Sequence, residues 1–364
     1  MIPNYEPWIT DLEKRYVMEA IDSGWVSSTG KFVDRFEKKF AEYIGVKHAV
    51  ATSSGTTACH IALEACGLRQ GDEIIVPDIT FIATANAAKY ANLDITVCGV
   101  DIDNWYMCME YLAKAIGPKT RAIFAVHLYG VMNNMDELCS FCKKHNLLLI
   151  EDACEALGGT WDGKKAGSFG KSACFSFYGN KTLTTGEGGM VVTNDDSVYE
   201  RAKMLKGQGQ TERYFHPIVG YNYRMTNLVA ALGLAQLERV DEIMKEKKRV
   251  FERYKSKLEP SKAIKIQEIH PKCQHAYWVF SMRLLDNLRD KIEARLKAYG
   301  IETRRCFHPV SSLPPYRDVR KIGRDSSWLT DSVLVLPSHP TLTDEQIDFI
   351  SDTILKETQD ESKT

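Results

Sequence analysis

Lys181 follows the apolar run Phe175-Ser176-Phe177-Tyr178 and precedes Gly186-Glu187-Gly188-Gly189, after which a second apolar run, Met190-Val191-Val192-Thr193, begins. An ammonium on such an apolar path costs free energy unless it is paired or neutralised. A lysine kept there is a candidate nucleophile toward an aldehyde. Upstream, Glu151-Asp152 closes another apolar run, Leu147-Leu148-Leu149-Ile150. A carboxylate and a lysine at the ends of two buried strands are the pair that pyridoxal phosphate requires. The first holds the pyridinium nitrogen and the second meets the aldehyde carbon.

Other residues fit around this pair. Ser53-Ser54-Gly55-Thr56-Thr57 joins an apolar run to a helical pattern. Free amides at a helix N-terminus attract anions, and hydroxyls add donors; Ser and Thr are equally ordinary N-caps. Ser176, on the run leading to Lys181, offers a hydroxyl to a phosphate or satisfies itself in the core. Phe81 offers a face to a flat ring or a side chain to the core. Asn222 and Arg224 alternate with Tyr221 and Tyr223, as surface residues or as contacts at a subunit boundary.

The elements that must position these residues read as an α/β alternation. Residues 1–45 predict two helices, the first opened by a capping box from Thr10 to Glu13, the second carrying Phe32, Phe36 and Phe40 on one face. Strands are predicted at 48–52, 73–76, 94–99, 121–126, 147–151, 173–177 and 189–193. Helices are predicted at 56–67, 80–90, 134–145 and 197–206. This spacing gives a mostly parallel sheet covered on both faces, with 173–177 and 189–193 as a local antiparallel pair. One long helix is expected over 226–258, stopped by Pro260. A smaller α+β domain follows, with strands at 277–284, 301–303 and 332–336 and helices at 287–298 and 344–356. Thr343 and Gln346 fit a capping box, and the polar stretch 357–364 reads as a frayed end. The division is 1–240 for the large domain and 241–364 for the long-helix end and the small domain.

At 364 residues and a formal net charge of −1, with both signs spread along the chain, there is no basic stripe for nucleic acid. No run of roughly 18 apolar residues suggests a membrane span, and the N-terminus has no signal-peptide pattern. The ten cysteines lack paired spacing and read as free thiols in a reducing, cytoplasmic compartment. Cys139-Ser140-Phe141-Cys142 has no second C-x-x-C and lies in a helical pattern, so no metal site is predicted.

In order along the chain come Gly30-Lys31-Phe32-Val33, Ser54-Gly55-Thr56-Thr57-Ala58, Gly71-Asp72-Glu73-Ile74-Ile75 and Val100-Asp101-Ile102-Asp103. They are followed by His127-Leu128-Tyr129-Gly130, Glu151-Asp152-Ala153, Phe175-Ser176-Phe177 with Lys181, Gly186-Glu187-Gly188-Gly189 and Asn222-Tyr223-Arg224-Met225. This series resembles the fold type I, pyridoxal-phosphate-dependent nucleotide-sugar aminotransferases of the DegT/DnrJ/StrS family over about residues 1–240, and more loosely beyond. The resemblance implies that fold, a PLP cofactor, L-glutamate as amino donor, and a homodimer with shared active sites. It implies Lys181 as the Schiff-base lysine, Asp152 on the ring nitrogen and Phe81 on the ring face. Ser54, Gly55, Thr56 and Ser176 would hold the phosphate, with Asn222 reaching in from the other subunit. Glu155 stands where many relatives have Gln or His, near the cofactor O3′ or the lysine.

Within the family, Phe177 to Gly189, Glu151 to Gly158 and the loop Gly24 to Gly30 are most similar to perosamine synthases, which aminate C4 of GDP-4-keto-6-deoxymannose. The loop from Phe307 to Tyr316 is similar to their sugar-facing loop, departing at Cys306 and Ser311. Trp25, His308 and Tyr316 are thereby candidate substrate contacts. The alternatives are a 4-aminotransferase for a UDP- or dTDP-4-keto-6-deoxyglucose with a viosamine-type product, the 3-dehydratase branch, and a non-catalytic regulatory paralogue. Lys181 argues against the dehydratase branch, which has histidine there; Lys181 and Asp152 together argue against the paralogue.

Overall fold

The computed structural model describes residues 1–359. Among these, the largest sheet has eight strands in the order His48–Thr52, Gly189–Thr193, Ser172–Ser176, Leu148–Asp152, Thr120–Val126, Glu73–Pro77, Asp94–Cys98 and Arg320–Ile322. Every pairing is parallel except those made by Gly189–Thr193, which runs against both neighbours. The expected antiparallel pair is therefore present, with Phe175 opposite Met190 and Ser176 opposite Gly189. The strands are apolar on both sides because helices cover both faces. One core holds Phe32, Phe36, Phe40, Phe175 and Phe177. The other lies under the helices Gly55–Ala65, Ala83–Tyr90 and Asp196–Lys206. This is the α/β fold that the alternation predicted.

The helix Lys31–Ile44 shows how sequence period fixes the site. Phe32, Phe36 and Phe40 recur every four residues and are fully buried. Phe36 meets Phe177 at 5.2 Å between ring centroids, and Phe40 meets Phe175 at 5.1 Å. Alternation along the strand then turns Ser176, between those two rings, to the opposite face.

Two expectations change. The single helix over 226–258 is two, Asn227–Glu238 and Val240–Leu258, broken at Arg239 (φ −109°, ψ 13°). The cause is tertiary. Arg239 donates to Glu13 at 2.8 Å and to Glu242 at 2.9 Å, and its guanidinium lies 4.6 Å from the Trp8 ring centroid. The strand expected at 301–303 is Arg304–Arg305, because Ile301 instead bridges Ile2 near the N-terminus. Arg304–Arg305 belongs to a second sheet of four strands among the described residues, with Ile264–Ile266, Phe280–Leu284 and Val333–Leu336. The charged strand Arg320–Ile322 had no apolar signal, yet it returns to the large sheet beside Asp94–Cys98. The last helix, Asp344–Gln359, has the expected Thr343–Gln346 box. Glu357, read as part of a frayed end, pairs with Arg295 at 3.1 Å, while residues 360–364 lie outside the described residues.

The capping box at Thr10 forms as predicted, with Thr10 N–H donating to Glu13 at 2.7 Å. Glu13 is 1 % exposed. Burial alone would raise its carboxyl, but the bonds from Thr10 and Arg239 prevail and hold it down at about 2. A depressed carboxyl contributes stability above its unfolded value, and that contribution is lost as pH falls through the folded one. Glu13→Gln should therefore lower stability at pH 7 by about 1–3 kcal/mol. Its deficit against wild type should shrink as pH falls from about 4.5 toward 2, as urea unfolding midpoints across that range would show.

Candidate active site

At the C-terminal ends of the parallel strands a cavity of about 450 Å³ opens. Such crevices are where open α/β sheets bind ligands. Ser54, Gly55, Thr56, Phe81, Asp152, Glu155, Ser176 and Lys181 all line it. Residues scattered over more than a hundred positions of sequence are thus brought to one space by the sheet order.

Asp152 ends its strand with its side chain toward the cavity. Its neighbour Glu151, turned the other way by the pleat, is fully buried. There it accepts from the amides of Gly167, Phe169 and Gly170 at 2.7–2.8 Å and contacts His127 Nε2 at 3.0 Å. Glu151 anchors the 167–170 loop. Asp152 accepts from Thr84 Oγ1 at 2.6 Å and from Cys154 N at 3.1 Å. It has no cationic partner among the described residues, and burial pushes its carboxyl well above the usual carboxylate range.

Lys181 sits in the turn that the glycine-rich run permits; Gly186 takes φ +79°, which suits glycine. Tyr5 Oη donates to the Lys181 carbonyl at 2.5 Å, and Trp278 Nε1 donates to the Asn180 carbonyl at 2.7 Å. The Lys181 Nζ lies 3.8 Å from the Trp278 ring centroid and 3.8 Å from Glu155 Oε1. Glu155 Oε2 accepts from Tyr129 N at 2.8 Å. Burial raises the Glu155 carboxyl against the pull of Lys181. Tyr129 holds φ +55°, a strained value for a bulky residue. Its ring lies between Trp278 and Phe307.

The helix Gly55–Ala65 begins at the cavity. Ser54 caps it and Thr57 reciprocates. The amides of Gly55 and Thr56 are first-turn donors with no helical acceptor. A Cβ at Gly55 would stand 2.6 Å from Ser176 Cβ and 2.7 Å from its Oγ. Only glycine lets Ser176 approach the helix end so closely. Phe81 precedes the helix Ala83–Tyr90 and is 55 % exposed at the cavity. That exposure settles its alternative: it is not a core side chain.

Four expected residues stay outside the cavity. Asn222 is exposed and accepts from Arg224 at 3.3 Å. Trp25 and His308 are exposed elsewhere. Tyr316 is corrected: it is 2 % exposed, packed in the core, with its hydroxyl on Asn86. The loop around Val310 and Asp78 draws it inward, through Val310 N to Asp78 O at 2.7 Å and Ser311 N to Asp78 Oδ1 at 3.0 Å. Sequence reasoning missed Tyr5, Tyr129, Trp278, Arg304 and Arg305, which also line the cavity. Tyr129 alone carried a signal, lying within the quoted His127-Leu128-Tyr129-Gly130 stretch.

The donor set suits pyridoxal phosphate. A buried carboxylate lacking a counter-charge is completed by a protonated pyridine nitrogen, a lysine amine faces the same space, and unpaired first-turn amides await an anion. Fold and site together define the class, an α/β enzyme that works through an aldehyde-bearing pyridine cofactor.

The chain belongs to the DegT/DnrJ/EryC1/StrS aminotransferase family, whose pattern matches residues 7–355. It is 44 % identical over 354 residues to a GDP-perosamine synthase of Caulobacter vibrioides, covering 94 % of this chain and 95 % of that one. It is 41 % identical to a GDP-perosamine synthase of Escherichia coli O157:H7, covering 97 % of each. The crystal structure of S. venezuelae DesV in complex with a ketimine intermediate superposes with a TM-score of 0.89 at 31 % identity, over 95 % of this chain and 94 % of that one. The protein is an aminotransferase and its cofactor is pyridoxal 5′-phosphate. No helix among the described residues is long and apolar enough to cross a membrane.

Asp152→Asn should weaken cofactor affinity by about 10- to 150-fold, the equivalent of about 1.5–3 kcal/mol for a lost charge-assisted hydrogen bond. The thermal midpoint of the cofactor-free chain should not fall, since an uncompensated buried carboxyl is removed. Equilibrium dialysis against pyridoxal phosphate checks the first outcome and calorimetry the second.

Proposed function

We propose that this aminotransferase moves the amino group of L-glutamate to C4 of GDP-4-keto-6-deoxymannose, giving GDP-perosamine. The observation that carries the sugar assignment is 41–44 % identity, nearly end to end, with three proteins named GDP-perosamine synthase. On this reading the reaction runs in the cytosol and its product serves O-antigen synthesis.

Pyridoxal phosphate, when bound, supplies the aldehyde that takes up the amino group and a ring that accepts the electrons released at Cα. Asp152, as a carboxylate, keeps the ring nitrogen protonated. The amides of Gly55 and Thr56 and the hydroxyls of Ser54 and Ser176 hold the phosphate, and Phe81 covers the ring. With the cofactor bound, Lys181 Nζ would take the proton from glutamate Cα and deliver it to the former aldehyde carbon, and in the second half-reaction it would carry a proton from that carbon to the sugar's C4. Glu155 orients Nζ in its charged form from 3.8 Å, and the Trp278 ring shields it from water. Arg305 is occupied by Glu293 and Asp290, whereas the acidic partner of Arg304 among the described residues, Glu302, is 3.9 Å away. Arg304 is therefore the guanidinium at the cavity that is free to meet the substrate's diphosphate. In this reading residues 1–240 carry the cofactor and the described residues of 241–364 form the smaller body, apart from the strand Arg320–Ile322. Asn222 serves the phosphate of a second subunit in a homodimer.

Purified enzyme with glutamate and a panel of GDP-, UDP- and dTDP-4-keto-6-deoxy sugars tests the substrate. The expected result is one aminated GDP product with the perosamine configuration, identified by mass spectrometry and NMR, and none with Lys181→Ala. Amination of the UDP or dTDP sugars with the GDP sugar untouched would replace the assignment by the viosamine-type reaction.

Shared sites are tested by mixing chains bearing Lys181→Ala with chains bearing Asn222→Trp. Each homodimer should be inactive, while subunit exchange should restore up to one intact site per mixed dimer. No recovery, with exchange confirmed by native mass spectrometry, would place the phosphate site within one chain.

A further inference from the structure

Three thiols converge on the carboxylate that faces the cofactor. Cys59 comes from the helix Gly55–Ala65, Cys174 from the strand Ser172–Ser176, and Cys154 from two residues beyond Asp152. Cys59 Sγ stands 3.3 Å from Cys174 Sγ and 3.8 Å from Asp152 Oδ2. The three sulfurs and an Asp152 oxygen all lie within 4.8 Å of one another. A tetrahedral zinc with bonds of about 2.3 Å to sulfur has ligand–ligand edges of roughly 3.8 Å. The contacts, from 3.3 Å to a limit of 4.8 Å, bracket that length, so side-chain rotations that move the ligand atoms by up to about 1 Å would close it. Cys59, Cys154 and Asp152 line the cavity, which gives a cation its entry path.

We propose that Cys59, Cys154, Cys174 and Asp152 form a site for one thiophilic divalent cation, Zn²⁺ or Cd²⁺, that competes with the cofactor. Each thiol and the carboxyl loses its proton to solvent as its bond to the cation forms, and no electron is transferred. Four anionic ligands around a divalent cation leave the loaded site with net negative charge, which the Lys181 ammonium in the same cavity offsets in part. Competition follows from Asp152: Thr84 and Cys154 N already bond to its oxygens. It cannot both ligate a cation and hold a protonated pyridine nitrogen beside that cation. The competition rests on Asp152 serving the cofactor; the metal site itself does not.

The test titrates Cd²⁺ into the full chain stripped of cofactor, reading thiolate-to-metal charge-transfer absorbance in the ultraviolet. One equivalent per chain is expected. X-ray absorption of the loaded wild type should count three sulfur ligands, which keeps the test decisive if a variant misfolds. Cys59→Ala/Cys174→Ala should lose the signal and still take up pyridoxal phosphate, as should Cys154→Ala with a weaker loss of signal. Reloading with cofactor should lower the apparent Cd²⁺ affinity at least about tenfold, and by linkage Cd²⁺ should lower cofactor affinity by the same factor. No charge-transfer band, or an equal band in the double variant, would overturn the site. Undiminished Cd²⁺ binding in the loaded enzyme would overturn Asp152 as a shared ligand. Loss of cofactor uptake by Asp152→Asn without any effect on Cd²⁺ would do the same while leaving the aminotransferase reading intact.

Discussion

A carboxylate buried without a counter-charge governs this structure. Asp152 ends a central strand, is nearly inaccessible, and has for company a hydroxyl, an amide and a thiol but no cation among the described residues. Isolated, it is driven toward the neutral acid. The chain tolerates this because the surrounding sheet is stable enough to hold a costly group in place. What relieves the cost is a cation that the polypeptide does not supply. In the aminotransferase a protonated pyridine nitrogen fills that role. The same deficit underlies the inference that a thiophilic metal contends for the position.

Much of the remaining architecture keeps Lys181 facing that carboxylate's cavity. The Phe36–Phe177 and Phe40–Phe175 contacts fix the strand that leads to it. Tyr5 and Trp278, from distant parts of the chain, bond the carbonyls of Lys181 and Asn180. Glu155 and the Trp278 ring then bracket the amine. Glu155 is in turn fixed by the amide of Tyr129, a residue held in a left-handed conformation. Backbone strain and buried charge thus concentrate within one cavity, where each is compensated by rigid surroundings.

The second sheet contributes to the same space from the opposite side. Arg304 and Arg305 on its short strand line the cavity, as do the buried Val335 and, just before a strand of that sheet, Val279. Arg305 is tied down by acidic neighbours while Arg304 is not. Adjacent residues of like chemistry therefore differ in what they can offer a substrate, and the difference lies in which carboxylates the neighbouring helix presents.

The sequence by itself determined the parallel α/β sheet, the antiparallel hairpin at Lys181, and the capping boxes at Thr10 and Thr343. These follow from local period, turn glycines and side chains that bond within a turn. It also determined the strand end that carries Asp152, because alternation assigns a face to each residue, and the glycine turn that carries Lys181. Tertiary structure alone decided what depends on contacts between distant segments. It broke the helix at Arg239, because Glu13 and Trp8 dock there. It drew Tyr316 into the core and put Trp278 over the lysine. It gathered Cys59, Cys154 and Cys174 around Asp152 from positions whose spacing shows no motif. Hydrogen-bonded period is written along the chain. The meeting of a helix start, a strand end and a loop is set by sheet order and packing, which no local pattern encodes.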